Sequence, residues 1–328
     1  MPTSSEQLES TQPTLAAERK PGRGRWAVLT TFHALAWSAW GVGQVLRDTT
    51  WLTGLCFYIP SVVMLMLGGL VWILTWRTSA RAMRTLLACS IVAPGFMVLG
   101  VENQWRPRAI PKGDTIRVVH WNIGYGVWGE EGVERELARQ KAVLYVLSEV
   151  PKQTDLARIA ARLGPRFRAV RLGLMAVIGE GELREPTRLF NDDGLRINSV
   201  YWRYQGRELL VFAIDQTSDL RVARDPLLRQ TRSYLARYQP DLVLGDFNAP
   251  RRSRALHPLP KGYAHAYDQV GSGWSATWPS VFPLFAIDQC IISASMTPAS
   301  YRLVSNQHSD HCMQIFEFSK NQSTITAE

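Results

Sequence analysis

The distribution of apolar residues constrains this 328-residue chain more than any other sequence feature. Three long blocks without Asp, Glu, Lys or Arg cover residues 26–45, 51–76 and 85–101. About 20 apolar residues in a helix span the hydrocarbon core of a bilayer. The pattern predicts three transmembrane helices over residues 26–101. The third block is short and contains Pro94, so an interfacial or re-entrant helix is its alternative.

The basic residues around these blocks predict an orientation. They form two clusters, Arg19, Lys20, Arg23 and Arg25 before the first block and Arg77, Arg81 and Arg84 before the third. Short cytoplasmic segments carry an excess of Lys and Arg. We therefore expect the N-terminus and the second loop in the cytoplasm, and the C-terminal part outside it.

The rest of the chain divides by composition into four further segments. Residues 1–25 and 319–328 are polar and predicted to be disordered. Residues 102–114 contain Pro107 and Pro111 and are predicted to form an extended linker. Residues 115–318 alternate between strand-like and helix-like patterns, which predicts an α/β domain of two packed sheets flanked by helices.

Polar residues stand at the ends of several predicted strands of this domain, where functional groups commonly lie. They occur in five segments: HWNIG (120–124), LSEV (147–150), GDFNAP (245–250), IDQ (287–289) and SDH (309–311). The set is rich in carboxylate and amide oxygens, which favour Mg²⁺ or Mn²⁺ over zinc. A His beside an Asp can orient a water or stabilise a developing charge. This combination favours hydrolysis at phosphorus.

In this order, the five segments resemble the motifs of the endonuclease/exonuclease/phosphatase superfamily. GDFNAP and SDH are the specific pieces, and Thr277-Trp278-Pro279 is similar to a stretch of its bacterial membrane-anchored branch. The resemblance covers residues 115–318. It implies a four-layer α/β/β/α sandwich preceded by the transmembrane helices, in an integral protein of the bacterial plasma membrane. The basic clusters predict that its catalytic domain lies on the extracytoplasmic side.

The resemblance also implies a role for each matching residue. Glu149, Asp310 and Asn122 would bind Mg²⁺ or Mn²⁺. Asp246 would activate the attacking water, and Asn248 and Asn122 would hold the phosphate. His311 would act on the phosphoryl oxygen or in proton transfer, with Asp288 fixing its ring.

Arg251 is a further candidate for substrate contact. It belongs to a basic cluster with Arg252 and Arg254 directly after GDFNAP. Such clusters attract anions, although a solvated surface is the alternative.

The chain departs from the superfamily pattern at one position that matters. Members with strong nuclease or sphingomyelinase activity usually carry a His where this chain has Asp215 or Gln216. The leading hypothesis is a membrane-tethered, metal-dependent hydrolase of phosphodiesters or phosphomonoesters, with nucleic acid, a lipid headgroup or a small molecule as substrate and no obligate protein partner. The alternative is a catalytically degenerate domain that binds a phosphate ligand or a partner without turnover.

Overall fold

The computed structural model describes residues 23–77, 81–107, 109, 114–192 and 194–320. Its helices are α1 (Arg23–Leu46), α2 (Trp51–Phe57), α3 (Ser61–Thr75), α4 (Arg81–Phe96), α5 (Glu130–Gln140), α6 (Leu156–Leu163), α7 (Arg224–Tyr238) and α8 (Ala266–Val270). Its strands are β1 (Asn103–Gln104), β2 (Thr115–Asn122), β3 (Leu144–Ser148), β4 (Phe167–Leu172), β5 (Met175–Glu180), β6 (Glu182–Asp192), β7 (Leu195–Tyr204), β8 (Arg207–Gln216), β9 (Leu242–Asp246), β10 (Tyr263–His265), β11 (Gly273–Trp274), β12 (Asp288–Ser293), β13 (Pro298–Val304) and β14 (Met313–Ser319).

Two six-stranded sheets form the centre of the C-terminal domain. The first has the order β13-β14-β2-β3-β5-β4 and the second has the order β10-β12-β9-β8-β7-β6. In each sheet one central pair is parallel, β2 with β3 and β8 with β9, and the other described neighbours are antiparallel. The prediction of an α/β sandwich of two sheets is confirmed.

The strands are apolar on both faces because each sheet is covered on both sides. Val118 contributes to the core between the two sheets, whereas the next residue, Val119, packs under α5 and α6. Phe212 of the second sheet packs in the same way against α7. Side chains alternate between the faces of a strand, so adjacent apolar residues serve different cores. The resulting layer order is helix, sheet, sheet, helix.

The prediction of three transmembrane helices is not supported in its full form. Helix α4 is continued by a π-helical segment, Met97–Val101. Among the described residues, the combined helix Arg81–Val101 is long and apolar enough to cross a membrane by itself. The second predicted block is broken at Pro60 into α2 and α3, which meet at a bend of 62° and qualify only as one broken span. The first block forms the 24-residue α1, but its Thr, Ser, Gly and His residues lower its hydropathy below that of a span.

The helices pack closely against one another. A Cβ atom on Gly43 of α1 would lie 2.3 Å from the backbone of Cys56 in α2, so glycine permits the two backbones to approach. The buried His33 Nε2 lies 2.8 Å from Ser90 Oγ of α4. These contacts join α1, α2 and α4 into one bundle.

The predicted segment boundaries are partly visible. The linker at 102–114 is not a free spacer throughout, because β1 pairs with β11 through Asn103 and Trp274. The predicted disordered ends fall largely outside the described residues, at 1–22 and 321–328, while residues 23–25 begin α1 and Ser319 ends β14.

The strand order brings four chain segments to one end of the sandwich. Asn122 and Ser148 are paired at the ends of β2 and β3, directly before Glu149. In the second sheet Asp246 is the pairing partner of Asp288. Parallel strands end at the same edge, so polar groups that follow them gather there.

Replacing Gly245 by Ala tests this arrangement. A Cβ atom at Gly245 would lie 1.9 Å from the carbonyl oxygen of Ile214, so β8 and β9 would have to separate. We expect the variant to lose about 2 kcal/mol of unfolding free energy and to melt about 5 °C lower, measured by differential scanning fluorimetry on the detergent-solubilised chain. Gly41→Ala is the control, since no atom lies within 4 Å of its added Cβ. Equal melting temperatures for Gly245→Ala and wild type would contradict the close approach.

Candidate active site

A cavity of about 620 Å³ opens at the end of the sandwich where these strands end. Its polar lining includes Glu149, Asp246, Asn248, Asp310 and His311. These residues come from β3, β9 and the segment before β14, which are far apart in the chain. The structure therefore brings together most of the residues that the sequence motifs predicted to act together.

His311 and Asp288 form a buried ion pair. His311 Nδ1 lies 2.9 Å from Asp288 Oδ2, and both side chains are largely shielded from solvent. Burial opposes a charged ring, but the charges of Asp288 and Asp246 outweigh it and raise the pKa of His311 to about 10. The ring is thus an imidazolium at neutral pH, and Asp288 fixes its orientation.

Asp246 faces the other nitrogen of the ring. Its Oδ2 lies 3.9 Å from His311 Nε2 and accepts a hydrogen bond from Asn122 Nδ2 at 2.9 Å. Its Oδ1 accepts from the backbone N–H of Asn248 at 2.8 Å. Burial, together with the nearby charge of Asp288, raises the pKa of Asp246 well above its ordinary value. A carboxylate with a raised pKa accepts a proton more readily, as a general base must.

Glu149 and Asp310 form a second pair of carboxylates in the cavity. Burial raises the pKa of Glu149, opposed by a hydrogen bond from Asn122, and the charge of Asp310 raises it further. Asp310 is held by Trp278, whose Nε1 donates to Asp310 Oδ2 at 2.9 Å. Two half-buried carboxylates with hard oxygen donors are the ligand set that Mg²⁺ and Mn²⁺ favour, so these residues suit such an ion.

The backbone at Glu149 supports a functional interpretation of this residue. Glu149 has a φ of 54°, in the left-handed region that non-glycine residues seldom adopt. Asn248, also in the cavity, has a φ of 44°. Residues held in such conformations cluster at functional sites.

A different group also has the spacing of a cation site. Asp246, Asp288 and His311 each offer a ligand atom, and these atoms lie within 4.8 Å of one another. However, His311 Nδ1 and Asp288 Oδ2 already bond each other, and Asp246 accepts hydrogen bonds from Asn122 and from the backbone N–H of Asn248. Glu149 and Asp310, which line the open cavity, are therefore the better candidates for metal binding.

Besides Asp288, which lies behind His311, two predicted site residues do not line the cavity. Asn122 is fully buried behind the cavity, where its Oδ1 accepts from the N–H of Gly124 at 2.9 Å and its amide donates to Asp246. Arg251 does not line this cavity. Its guanidinium stacks 4.4 Å from the ring of Tyr267 and pairs with Asp268 at 2.9 Å, so its charge is already matched.

Three cavity residues that hydrogen-bond to site residues were not among the predicted site residues. Arg224 donates from Nε to the carbonyl oxygen of Asn248 at 3.2 Å, and Tyr58 donates its hydroxyl to the same oxygen at 2.6 Å. Trp278 is the third of these residues, and its Nε1 donates to Asp310 Oδ2. Only Trp278 had a signal in the sequence, the Trp-Pro pair at 278–279.

The position that lacks the expected His is occupied by an ion pair. Asp215 pairs with Asp246 across β8 and β9, and its Oδ2 receives Arg196 Nη1 at 2.6 Å. Burial raises the pKa of Asp215, and the bond from Arg196 opposes this. A charged pair therefore replaces the imidazole at this edge of the site.

The chain belongs to the endonuclease/exonuclease/phosphatase family. The family model, described as "Endonuclease/Exonuclease/phosphatase family", matches residues 121–311, which is more than half of the chain. This range includes every segment that lines the polar part of the cavity. No curated protein matches the sequence.

Solved structures share the fold at low sequence identity. A mannosyl-6-phosphatase from Bacteroides thetaiotaomicron is 13% identical with a TM-score of 0.54, over 62% of this chain and 99% of its own. TDP2 from D. rerio, complexed with a single-strand DNA product, is 14% identical with a TM-score of 0.52, over 63% and 100%. A family protein from B. thetaiotaomicron is 14% identical with a TM-score of 0.53, over 63% and 98%.

The His311–Asp288 pair predicts a pH-dependent stability of the metal-free chain. The pKa of His311 is about 10 in the folded state and about 6.5 in an unfolded chain. The pair's contribution to the unfolding free energy is therefore complete below about pH 6.5 and is lost as the pH rises towards 10. Asp288→Asn should lower the pKa of His311, measured by NMR titration of the ring, and flatten the slope of stability between these pH values. An unchanged pKa in Asp288→Asn would contradict the pairing.

Proposed function

We propose that this protein is a membrane-anchored phosphoester hydrolase that depends on Mg²⁺ or Mn²⁺. The observation that carries the proposal is the cavity that joins the His311–Asp288 pair and Asp246 to the two carboxylates of Glu149 and Asp310. Family membership supports hydrolysis of a phosphoester bond. The charge and burial of these side chains support a role for each.

Asp246 and His311 are suited to the two sides of the reaction. Asp246 takes a proton from a water whose oxygen attacks phosphorus. The ester P–O bond breaks, and its electron pair stays on the leaving oxygen. The imidazolium of His311 presents its Nε2 proton to the phosphoryl oxygen, where negative charge develops. Asp288 holds the ring and stays ionised throughout.

Glu149 and Asp310 are the proposed metal ligands. When bound, a divalent cation neutralises charge on the phosphoryl group. Trp278 keeps Asp310 in place, and Asn122 joins the metal side to the base by bonding Asp246. Asn248 contributes to phosphate binding from a backbone held by Arg224 and Tyr58.

The substrate is a phosphodiester or a phosphomonoester. Among proteins of this fold, the mannosyl-6-phosphatase and the TDP2 complex with a DNA product are named for a monoester and for a nucleic acid. The cavity, at about 620 Å³, has room for a group larger than phosphate. This favours substrates with a substituent beyond the phosphoryl group.

The helices support attachment to a membrane. Large apolar side chains point outward on several of them, including Phe32, Leu70, Leu86 and Val92. An apolar surface of this kind marks a contact with a partner or a membrane. Together with the apolar Arg81–Val101 helix and the basic clusters, it favours a membrane protein with its active site outside the cytoplasm.

A second candidate function is phosphate-ligand binding without turnover. It is favoured by the Asp215–Arg196 pair, which stands where stronger catalysts of the family carry a second imidazole. Binding would persist in this case, but hydrolysis would not occur. Activity measurements separate the two functions.

Asp246→Asn removes the proposed base while preserving size. We expect Mg²⁺-dependent hydrolysis of bis(p-nitrophenyl) phosphate by the full chain in detergent to fall about 100-fold or more. The rate is measured as release of p-nitrophenol. Glu182→Gln is the control, because Glu182 is an exposed acid on β6 that lies away from the cavity. Wild-type activity in Asp246→Asn would reject the mechanism, and an inactive wild type that binds phosphate would favour the second candidate.

Glu149→Gln tests the metal site separately from turnover. We expect the affinity for Mn²⁺, measured by isothermal titration calorimetry without substrate, to fall about tenfold or more because the ligand charge is lost. His311→Gln should retain Mn²⁺ binding, since His311 is not a proposed ligand. Loss of Mn²⁺ binding in His311→Gln with retention in Glu149→Gln would instead favour the cluster of Asp246, Asp288 and His311.

A further inference from the structure

One wall of the active-site cavity comes from the N-terminal helices. Helix α2 supplies Leu55 to its lining, and the break between α2 and α3 supplies Tyr58, Ile59 and Pro60. The C-terminal domain supplies further apolar side chains, Leu220, Phe285 and Ile287. The cavity therefore has a polar part, defined above, and an apolar part formed by these seven residues.

Direct hydrogen bonds hold the helical wall against the catalytic domain. The hydroxyl of Tyr58 donates to the carbonyl oxygen of Asn248 at 2.6 Å, within the GDFNAP segment. Trp51 Nε1 donates to the carbonyl oxygen of Leu220 at 2.6 Å. The two bonds lie at opposite ends of α2, so this helix is anchored to the domain at both ends.

A second set of bonds fixes the loop between α1 and α2. The backbone N–H of Arg254 donates to Asp48 Oδ1 at 2.7 Å, and Asp48 is buried. Arg252 Nη1 donates to Gln44 Oε1 at 2.9 Å. Arg252 and Arg254 of the basic cluster after GDFNAP thus hold the helical region against the domain. These hydrogen bonds fix the apolar wall in place beside the polar part of the cavity.

Exposed apolar side chains flank the cavity on two sides. On the helical side, Leu52 of α2 is 63% exposed. On the domain side, Val281 and Phe282 are 95% and 56% exposed, in the loop that runs from Trp278 to Phe285. Both ends of that loop line the cavity. Isolated apolar residues are common at surfaces, but exposed apolar residues on both sides of one cavity favour contact with an apolar phase.

We infer that the substrate is an amphiphile, a phosphoester attached to a hydrocarbon chain, with its phosphoryl group in the polar part of the cavity and its chain in the apolar part. This inference rests on the proposed function and adds the substrate class. A nucleic acid would leave the apolar wall without a partner, whereas a hydrocarbon chain removes apolar surface from water on both sides. The wall belongs to helices proposed to lie in the bilayer, so such a chain reaches the cavity without crossing water.

A series of p-nitrophenyl phosphodiesters tests this inference. The second ester group is methyl, butyl, hexyl or thymidine, and the leaving group is the same throughout. The full chain, held in an amphipathic polymer with Mg²⁺, is assayed below the concentration at which these esters form micelles. Each buried methylene is worth about fourfold, so we expect kcat/KM to rise at least about tenfold from the methyl to the hexyl ester.

Leu55→Gln and Leu52→Gln form a matched pair on α2. Leu55 lines the cavity, whereas Leu52 does not. We expect Leu55→Gln to reduce the hexyl-to-methyl ratio of kcat/KM several-fold and Leu52→Gln to leave this ratio unchanged. The ratio cancels any common effect on chemistry, and melting curves report whether each variant folds.

The outcomes separate this inference from the proposed function. Hydrolysis of the methyl ester at a rate equal to that of the hexyl ester, or a preference for the thymidine ester, would overturn the amphiphile and leave the hydrolase standing. Failure to hydrolyse any of these diesters or the monoester p-nitrophenyl phosphate would overturn both. An unchanged ratio in Leu55→Gln would remove the helical wall from substrate recognition.

Discussion

The site depends on two buried carboxylates placed opposite each other. Asp246 and Asp288 are pairing partners on adjacent antiparallel strands, and both are almost fully buried. Two negative charges at this distance in a protein interior are costly unless positive charge or hydrogen-bond donors face them. His311 provides the charge by binding Asp288 and facing Asp246, while Asn122 provides a donor. The SDH segment is positioned for this purpose, because Ser309 Oγ donates to the carbonyl oxygen of Asn122 at 2.6 Å.

The sequence predicted the polar ends of the central strands well, and the reason is local. GDFN and SDH interrupt apolar runs that are buried on both faces, so their polar residues must lie at strand ends. Strands β4, β5 and β6 were not predicted, and β6 is largely exposed and lacks a clear alternation. The contacts of Arg251 could not be predicted for a different reason. Its partners, Tyr267 and Asp268, are near only in the folded chain.

The N-terminal region shows how composition and geometry can disagree. A run of uncharged residues was sufficient to predict a helix, and helices do form in all three blocks. Composition did not reveal the break at Pro60, since proline is also found within membrane helices. The break matters because it places Tyr58 beside Asn248. A straight helix over residues 51–76 would have carried this hydroxyl away from the domain.

The short pairing of β1 with β11 lies after the helices, whereas the hydrogen bond of Tyr58 lies within the helical region. This difference matters for any truncated form of the chain. A polypeptide that begins after the helices would retain the carboxylates and the imidazole. It would lack four of the residues that close the cavity and the hydroxyl that binds the Asn248 carbonyl. Such a fragment would have a more open cavity, so that it would discriminate less between ligands and its reactive groups would be more hydrated than in the intact molecule.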